Sequence, residues 1–438
     1  MRLSKDLSLI LSNSNFSDII EVAKILKKNN GNLYLVGGGV RDIFLNLIPH
    51  DYDFCVTGIT SDLFEKLFPQ AIKQGKNFPV YILNDHEFAM ARKESKTGLK
   101  HTDFNFEVTP SITIYDDLIR RDLTINSIAI DVLTNEIIDP FNGIDDIKNK
   151  VLKVTSSAFA EDPLRVYRVA RLASQLNFNV SASTINIMKD MQHDLTNISV
   201  ERVFNEFRKA LNSNNPSNFF KVLKSAECLK THFIEIYNLI NVEQPLKYHP
   251  EGDVFNHTTE VLERVAKVSK DELIRFGGLV HDFGKAATPK ANWPHHYDHD
   301  KLGTDIIKNF CNTLKMPTSF KKVGCVACQE HMLAGIYYQL KSGTKVKLFE
   351  RIYRSNSLSL KGLEIIANAD KIRETPISFA NIGDEIMKSV KLEHKDLIKL
   401  SDLNNIDKIE KIKSILFNKR VTKLQELENR ILKNKQIY

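Results

Sequence analysis

The sequence predicts an α+β N-terminal head with a mixed sheet and helices, followed by an all-α remainder. Between residues 33 and 140, short runs rich in β-branched and aromatic residues alternate with two short helical patterns. From about residue 174, apolar residues recur at helical spacing and strand signals become rare. A chain of 438 residues is too long for one ordinary hydrophobic core, so we expect two to four domains.

The composition is typical of a globular protein, with 42% hydrophobic and 26% charged residues. A net charge of +7 suits a polyanionic partner but does not require one. The apolar run near residue 10 is too short and too interrupted for a signal peptide, and no run reaches the length of a membrane-spanning helix. Five cysteines form no disulfide framework. We therefore expect a cytoplasmic protein without a membrane partner.

The segment from Leu33 to Val56 carries the strongest functional pattern in the chain. Leu33–Val36 predicts a buried strand, and the three glycines at 37–39 allow a tight turn with the backbone close to a ligand. Apolar residues then recur at helical spacing, so a helix is expected directly after the glycines. The N–H groups at its start, with Arg41 beside them, predict a binding site for an anion such as a triphosphate.

Asp51 and Asp53 follow this helix and open a predicted strand over 54–57. Residues i and i+2 of a strand point the same way, so the two carboxylates are expected about 6.6 Å apart on one face. Such oxygen ligands suit hard divalent cations, and paired metals assist in-line attack on a phosphate. A glycine turn or an Asp-x-Asp alone is common in surface turns. Together across a strand–helix–strand unit they are much more specific.

This block resembles the catalytic core of class II nucleotidyltransferases of the DNA polymerase β superfamily, which comprise CCA-adding enzymes and bacterial poly(A) polymerases. The resemblance implies that Asp51 and Asp53 hold Mg²⁺ and that Gly38 and Arg41 orient the triphosphate. It also implies that the polar segment 92–102 is the flexible loop needed for the final addition, where the residues alone predict an ordinary hairpin loop. Relatives often carry an Arg-Asp pair where this chain has Lys76 and Asn77.

A second charged motif spans Asp116 to Asn126, between a predicted helix and a predicted strand at 127–131. By itself such a cluster is usually a solvated helix end. The resemblance makes it the second core motif of the family and implies that Arg121 faces the triphosphate, where a guanidinium can bind two oxygens.

A third motif lies between Glu161 and Arg171. Pro163 suits a first helical turn, which places Asp162 at or beside the N-cap. Arginines recur every three residues along this helix, at Arg165, Arg168 and Arg171. By itself the pattern indicates a capped helix with a solvated basic stripe. The string nevertheless matches the nucleotide-selection motif of the same family.

The chemistry of selection follows from donors and acceptors. Cytosine and adenine each present an amino donor beside a ring-nitrogen acceptor, whereas uracil and guanine present a carbonyl beside an N–H. A carboxylate only accepts hydrogen bonds and a guanidinium only donates them. Asp162 with Arg165 therefore fits C or A and leaves buried groups unpaired against U or G. The resemblance implies that Arg168 and Arg171 support the nucleotide and steady Arg165.

Residues 249–370 carry a separate set of histidines and acids. His281 and Asp282 follow an apolar run at 276–280, and the other members precede and follow them at predicted helical positions. A lone histidine on an apolar helix is usually part of the core, and a histidine-rich loop is often only solvated. Imidazole and carboxylate ligands together suit transition metals, which can activate water for phosphoester hydrolysis. The order resembles the HD superfamily of metal-dependent phosphohydrolases, and that resemblance implies the ligands His257, His281, Asp282, His299, His331 and Asp370.

The nitrogen-rich ligand set favours Ni²⁺ or another divalent transition metal, and the matched residues His281, Asp282 and His331 are expected to be catalytic. Cys325 and Cys328 followed by His331 would also suit zinc. A second Cys pair is missing and the segment has a helical pattern, so buried small residues are favoured.

The expected organisation is an N-terminal helical extension (1–32), a nucleotidyltransferase head (33–145), a helical neck and body (146–248), an HD domain (249–375) and a helical basic tail (376–438). The resemblance over about 33–370 is closest to bacterial multifunctional CCA-adding enzymes. It implies that the partners are the 3′ end of tRNA, CTP and ATP. We expect a monomer or weak homodimer. The alternatives are a poly(A) polymerase, an HD nucleotide phosphohydrolase with an inactive head, and a non-catalytic RNA-binding protein.

Overall fold

The structure, a computed structural model, describes residues 17–49, 51–74, 80–96, 104–247, 249–371, 374–398 and 404–435. The chain divides into two compact units. The first comprises the residues up to Arg202 together with Lys221–Thr231, and the second comprises Val203–Phe220 together with the residues from His232 onward. Each unit contains one of the two residue sets that the sequence singles out.

A seven-stranded sheet forms the centre of the first unit. Its strands are β1 (Asn32–Val36), β2 (Asp53–Thr57), β3 (Ile72–Gln74), β4 (Val80–Leu83), β5 (His86–Met90), β8 (Ala129–Asp131) and β9 (Ile137–Ile138), in the spatial order β3-β4-β5-β2-β1-β8-β9. Strands β2 and β5 are parallel and the other neighbours are antiparallel. The mixed sheet predicted for this part of the chain is therefore confirmed.

A separate two-stranded sheet pairs β6 (Lys93–Lys96) with β7 (Phe104–Glu107). The prediction that a loop begins at Arg92 was therefore wrong for 93–96, because main-chain pairing with 104–107 makes this polar segment a strand. The rest of the predicted flexible loop, from 97 onward, lies outside the described residues, as do Lys76 and Asn77.

Helices complete the first unit. They are α1 (Ser17–Lys28), α2 (Gly38–Phe44), α3 (Ser61–Leu67), α4 (Ile114–Ile119), α5 (Gly143–Lys148), α6 (Leu164–Leu176) and α7 (Ala182–Asp190); β10 (Val151–Leu152) pairs with β11 (Asn179–Val180) between them. Helix α1 buries one apolar face through Ile19, Val22, Ala23 and Leu26. The strand expected to start at Ser127 begins at Ala129, because a 3₁₀ turn over Thr124–Asn126 precedes it.

The second unit is helical in the part that the structure describes. Two helices are divided between the units: α8 (Val200–Leu211) ends in the second unit, and α9 (Ser217–Ser225) begins in it. The others are α10 (Ile234–Tyr237), α11 (Val254–Val268), α12 (Glu272–Val280), α13 (His299–Thr313), α14 (Thr318–Gly335), α15 (Ser342–Ser355), α16 (Leu360–Asp370), α17 (Ala380–Ser389), α18 (His394–Ile398) and α19 (Asn405–Lys435). Within the described ranges, none of the helices is long and apolar enough to cross a membrane.

The core of the second unit joins residues that are distant in sequence. The rings of Phe207, Phe219 and Phe233 contact one another, and Phe310 packs on Phe207 and Phe233. Arg275, which lies on α12, is also fully buried. Its guanidinium donates to the carbonyl oxygens of Leu211 and Ser213 at 2.7 Å and to those of Ala266 and Ser269. This buried cation is therefore satisfied by main-chain acceptors.

Candidate functional site

The glycine turn lies next to the predicted metal carboxylates because of strand register. Val36 at the end of β1 pairs with Asp53 at the start of β2, so the turn that follows Val36 reaches Asp53. Gly37 has a φ of 75°, and a Cβ there would lie 3.1 Å from Arg121 Nη1 and 3.4 Å from Asp53 Oδ2. Only glycine fits this turn without displacing the charged groups.

Asp51 and Asp53 are both exposed at the start of β2. The prediction that both stand on one strand was wrong, because the strand begins at Asp53 and Asp51 lies in the preceding loop. Partial burial raises the pKa of Asp53, the charge of Asp51 raises it further, and Arg121 opposes both. Two neighbouring acids with free access to ligand fit Mg²⁺, which prefers carboxylates, phosphate oxygens and water.

A hydrogen-bonded chain joins the three sequence motifs of the first unit. Arg41 Nη1 donates to Asn126 Oδ1 at 2.9 Å, and Asn126 Nδ2 donates to Asp122 Oδ1 at 3.0 Å. The other oxygen of Asp122 accepts from Arg168 Nε at 2.9 Å. Burial opposes ionisation of Asp122, but Arg168 outweighs burial and holds its pKa well below the ordinary range. Helix α2, which follows the glycine turn, is thus connected to helix α6 through the buried carboxylate of Asp122.

Asp117 is a buried acid that the sequence analysis did not single out as a site residue. It is 1% exposed and accepts hydrogen bonds from Arg120 and Arg121. Burial raises its pKa, but the two guanidinium groups outweigh burial and bring the pKa to about 2. The spacing of three and four residues to two consecutive arginines was the available signal, since such pairs share one helix face. Asp117 holds Arg121 where its other nitrogen reaches Gly37.

The selection helix α6 begins where the sequence predicts. Asp162 Oδ1 accepts from the N–H of Leu164 at 3.1 Å, and its Oδ2 lies 3.2 Å from Arg202 Nη2. Arg165 donates to the carbonyl oxygens of Ala158 and Arg120, at 2.8 and 2.7 Å. These contacts do not join Asp162 to Arg165. Arg202 was not predicted, because it lies 40 residues further along the chain.

Arg171, the last arginine of the selection stripe, donates to Gln175 one turn further along α6. The structure thus brings Arg168 into the buried chain of motifs and connects Arg171 to its own helix. Gly38 starts α2, and Arg41 on the same helix also binds Asp42.

The six predicted HD ligands come together in the second unit. Four of them lie in or at the ends of helices: His257 in α11, His299 at the start of α13, His331 in α14 and Asp370 at the end of α16. His281 and Asp282 were expected on a buried helix. They lie instead at the junction where α12 ends at Val280 and a 3₁₀ helix over Phe283–Ala287 begins.

Asp282 stands between two groups of ligands. Its Oδ2 lies 3.2 Å from His281 Nε2 and 3.4 Å from His257 Nε2. Its Oδ1 lies 3.3 Å from His299 Nε2 and 3.5 Å from His331 Nε2. Asp370 completes the first group, with Oδ1 3.0 Å from His257 Nε2 and 3.5 Å from His281 Nε2.

The histidines are oriented as metal ligands would be. His281, His299 and His331 each donate Nδ1–H to a main-chain carbonyl of a nearby residue, at 2.7–2.8 Å. Each therefore directs Nε2 toward Asp282. Neither oxygen of Asp282 has a partner in hydrogen-bonding geometry, although both are buried. Because a buried carboxylate without aligned donors is costly, this arrangement fits a bound cation.

The charges of this site shift each other strongly. Burial lowers the pKa of His281, but Asp282 and Asp370 outweigh burial and raise it to about 10. Burial raises the pKa of Asp282, whereas His281 and Lys285 lower it well below the ordinary range. Lys285 Nζ lies 2.6 Å from Asp282 Oδ2 and donates to Gln244. Lys285 lies three residues after Asp282, and the sequence analysis did not assign it a role.

A cavity of about 480 Å³ opens onto the second group of ligands. Its lining includes Lys285, His295, Tyr297, His299 and His331. Cys325 and Cys328 contribute to none of the metal-ligand groups found among the described residues. Their thiols donate to the carbonyl oxygens of Thr304 and Asp300, which agrees with the prediction of small residues packed on a helix.

Comparison with protein-family models matches three parts of the chain. The poly A polymerase head domain matches residues 33–153, and the model described as a probable RNA and SrmB-binding site of polymerase A matches 177–239. The HD domain matches 254–433. The fold and the two sites therefore define a nucleotidyltransferase with a second, HD domain on the same chain.

Curated relatives identify the particular group. The multifunctional CCA protein of Mannheimia succiniciproducens is 42% identical over 331 residues, which cover 73% of this chain and 78% of the relative. The protein of the same name from Shewanella frigidimarina is 40% identical over 326 residues, with the same coverage. This chain belongs to the family of multifunctional CCA proteins.

Solved structures support the same fold. A CCA-adding enzyme in complex with CTP has a TM-score of 0.66 at 18% identity, covering 98% of this chain and 99% of that one. The Thermotoga maritima CCA-adding enzyme complexed with tRNA has a TM-score of 0.63 at 19% identity, covering 98% and 100%. At such identities the likeness shows the fold alone.

Proposed function

We propose that this protein adds C and A to the 3′ end of tRNA from CTP and ATP, without a nucleic-acid template. The observation that carries the proposal is the buried chain from Arg41 through Asn126 and Asp122 to Arg168. This chain fixes the glycine turn relative to helix α6. A protein that selects nucleotides without a nucleic-acid template requires such a fixed arrangement. Membership of the multifunctional CCA protein family supports the same activity.

In this proposal, one set of residues in the first unit binds the metal and the triphosphate, and another set binds the base. Asp51 and Asp53 would hold Mg²⁺, which would neutralise charge at the phosphate and activate the terminal 3′-hydroxyl of tRNA. Gly38, Arg41 and Arg121 orient the triphosphate, because a guanidinium held from behind by Asp42 or Asp117 keeps its direction without ligand.

Asp162, Arg165, Arg168 and Arg171 act at the base end of the nucleotide. Asp162 accepts from the amino group shared by cytosine and adenine, and Arg165 donates to the ring nitrogen beside it. In the structure, Asp162 lies 3.2 Å from Arg202 and Arg165 donates to two carbonyls. A base therefore has to replace some of these contacts, so the correct nucleotide exchanges hydrogen bonds whereas U or G would leave them unmade.

Incubation of purified protein with tRNA lacking CCA, with each nucleoside triphosphate offered separately and then together, tests this activity. We expect CTP alone to add two residues and CTP with ATP to complete CCA. Addition of many A residues without C would indicate a poly(A) polymerase. No incorporation at all would support an inactive head.

We also propose that the HD domain is a metal-dependent phosphohydrolase, acting as a phosphatase or a 2′,3′-cyclic phosphodiesterase. His257, His281 and Asp370 would hold one Ni²⁺ or similar ion, and His299 with His331 a second, with Asp282 shared by both. Such ions supply an activated water and neutralise phosphate charge. The buried Asp282 oxygens without aligned donors are the observation that carries this proposal.

Metal analysis of the full chain after equilibration with Ni²⁺, with hydrolysis of a 2′,3′-cyclic nucleotide as the activity readout, tests the second activity. Two ions per HD domain and metal-stimulated hydrolysis are expected. A chain that binds no transition ion and does not hydrolyse the 2′,3′-cyclic nucleotide would contradict it. We further propose that the chain is divided into head, neck, HD domain and tail. We also propose that the protein is a monomer or weak homodimer.

A further inference from the structure

Glu251 is a largely buried acid in the turn before α11, outside every residue set considered above. Its side chain is 9% exposed, and its Oε1 lies 2.5 Å from Nδ1 of His257 and 3.1 Å from Nδ1 of His249. His249 lines the HD cavity, and its ring packs edge-on against that of His257 at 4.6 Å. One carboxylate oxygen therefore contacts both a proposed metal ligand and a residue of the cavity wall.

His257 differs from the other three histidine ligands in what holds its ring. His281, His299 and His331 donate Nδ1–H to neutral main-chain carbonyls. His257 donates Nδ1–H to the carboxylate of Glu251 instead. Its opposite nitrogen, Nε2, lies 3.0 Å from Asp370 Oδ1 and 3.4 Å from Asp282 Oδ2.

A carboxylate behind an imidazole has two effects on the metal-facing nitrogen. It fixes the tautomer that carries hydrogen on Nδ1, so that Nε2 has a lone pair available for a metal. It also increases the basicity of the ligand and restricts the rotation of the ring. Neutral carbonyls fix the tautomer but supply less negative charge.

We propose that Glu251 is a positioning residue of the HD metal site, which orients His257 and strengthens it as a ligand for the ion shared with His281 and Asp370. This inference rests on the proposed HD function. The proposed role concerns only the ligand group that contains His257. Glu251 is not grouped with His299 and His331, which form the second group with Asp282.

A separate metal held by His249, Glu251 and His257 is the competing explanation, since their ligand atoms lie within 4.8 Å of one another. Two ligand atoms that are each about 2.1 Å from one ion at right angles lie roughly 3 Å apart. The observed 2.5 Å between His257 Nδ1 and Glu251 Oε1 is shorter than that and is a hydrogen-bond distance. The geometry therefore favours positioning over ligation.

The test compares Ni²⁺ binding by the full chain and its variants in calorimetry after removal of metal. Glu251→Ala should weaken one of the two binding events about 10- to 100-fold, the usual effect of losing such a support. Glu251→Gln should weaken it less, because the amide oxygen still accepts from His257 Nδ1–H. The second binding event should be unchanged in both variants.

Asp253→Asn is the matched control. Asp253 lies two residues away and holds the start of the same helix, accepting from Asn256 N–H at 2.9 Å and from Asn241 N–H at 2.8 Å. The Asp253 carboxylate accepts from these two main-chain N–H groups and not from the His257 ring. A merely structural role for Glu251 would make Glu251→Ala resemble Asp253→Asn, with a lower melting temperature and unchanged Ni²⁺ affinity.

The outcomes separate this inference from the proposed function. Wild-type protein that binds no Ni²⁺ overturns the HD proposal and the inference with it. Normal wild-type binding with equal affinity in Glu251→Ala overturns the inference alone. Three ions in the wild type and two in Glu251→Ala would show the separate metal site instead. CCA addition by each variant verifies that the first unit is folded, and thermal melting of each variant verifies that the second unit is folded.

Discussion

Asp117 in the first unit and Asp282 in the second are both buried carboxylates, 1% exposed, but their surroundings differ. Asp117 is saturated by aligned hydrogen bonds from Arg120 and Arg121. Asp282 has Lys285 and four imidazoles around it, yet neither of its oxygens has a partner in hydrogen-bonding geometry. Asp117 is thus paired within the first unit, whereas Asp51 and Asp53 of the same unit are exposed. In the second unit, the Nε2 atoms of four histidines face Asp282, an arrangement that fits a bound metal ion.

The largest expected effect lies at the exposed pair. Asp51→Ala or Asp53→Ala should abolish addition of both C and A, because each removes a ligand of the proposed Mg²⁺ site. Folding should survive, since neither carboxylate is buried. Labelled CTP incorporation and thermal melting are the measurements. Near-normal incorporation in either variant would remove that acid from the mechanism.

The same comparison predicts a selective loss in the second unit. His281→Ala and Asp282→Ala should eliminate metal-stimulated hydrolysis of a 2′,3′-cyclic nucleotide while CCA addition remains. Both assays are run on one preparation of each variant. Loss of both activities together would indicate a folding defect or one shared site, and unchanged hydrolysis would make the His-Asp cluster structural.

Asp117→Asn should weaken the first unit, because removing one partner of a buried ion pair costs about 3–5 kcal/mol. It should also raise the apparent KM for CTP and ATP, since Arg121 loses its support. The neighbouring Asp116 caps the same helix with Thr113 and provides the control Asp116→Asn. Denaturant unfolding and KM measurements decide it; equal effects of the two variants would contradict a special role for Asp117.

Lowering the pH should destabilise the protein by protonating Asp117. The pKa of Asp117 is about 2 in the native protein against an ordinary value of 3.8, so ionisation of Asp117 stabilises the fold above that ordinary value. This contribution is lost as the pH falls from about 4 toward 2. Unfolding free energy measured across that range should therefore fall more steeply in the wild type than in Asp117→Asn. Parallel curves would show that Asp117 is not coupled to the arginines as the structure indicates.

Bound Ni²⁺ should stabilise the second unit, which contains the proposed metal ligands. Ni²⁺ at 100 times its dissociation constant should stabilise the second unit by about 2.7 kcal/mol. Thermal melting followed through tryptophan fluorescence reports on this unit, because the only tryptophan in the chain is Trp293. Asp282→Ala should not respond to Ni²⁺, and an equal response in that variant would place the stabilising ion elsewhere.

The smallest expected effect concerns nucleotide choice. Asp162→Ala should relax discrimination against UTP while slowing use of CTP, because a hydrogen bond to a charged group contributes roughly 1.5–3 kcal/mol. Single-nucleotide incorporation with CTP and UTP gives the ratio. If CTP use falls and the ratio stays the same, Asp162 acts only as the acceptor for the N–H of Leu164.

Local patterns made much of this structure predictable. The strand before the glycine turn, the helix after it and the start of α6 depend on neighbouring residues, and each appears within a residue or two of its prediction. The position of Asp51 was missed because only the pairing of Val36 with Asp53 fixes where β2 begins.

Contacts between residues that are distant in sequence could not be predicted from local patterns. His257 meets Asp370 across 113 residues, and Arg202 meets Asp162 across 40. The His-Asp order still made the HD ligands recognisable. Glu251 gave no comparable signal, since an acid just before a helix is ordinary.

The buried guanidinium of Arg275 has a consequence for dividing this protein into fragments. Two of its acceptors, Leu211 and Ser213, come from the stretch before the chain returns to the first unit, as do Phe207 and Phe219 of the surrounding core. An HD fragment that starts near residue 249 would lack these acceptors and leave a cation in an apolar interior. Expression boundaries for the second activity therefore have to lie upstream of Val203, and the intervening residues 221–231 have to be carried along.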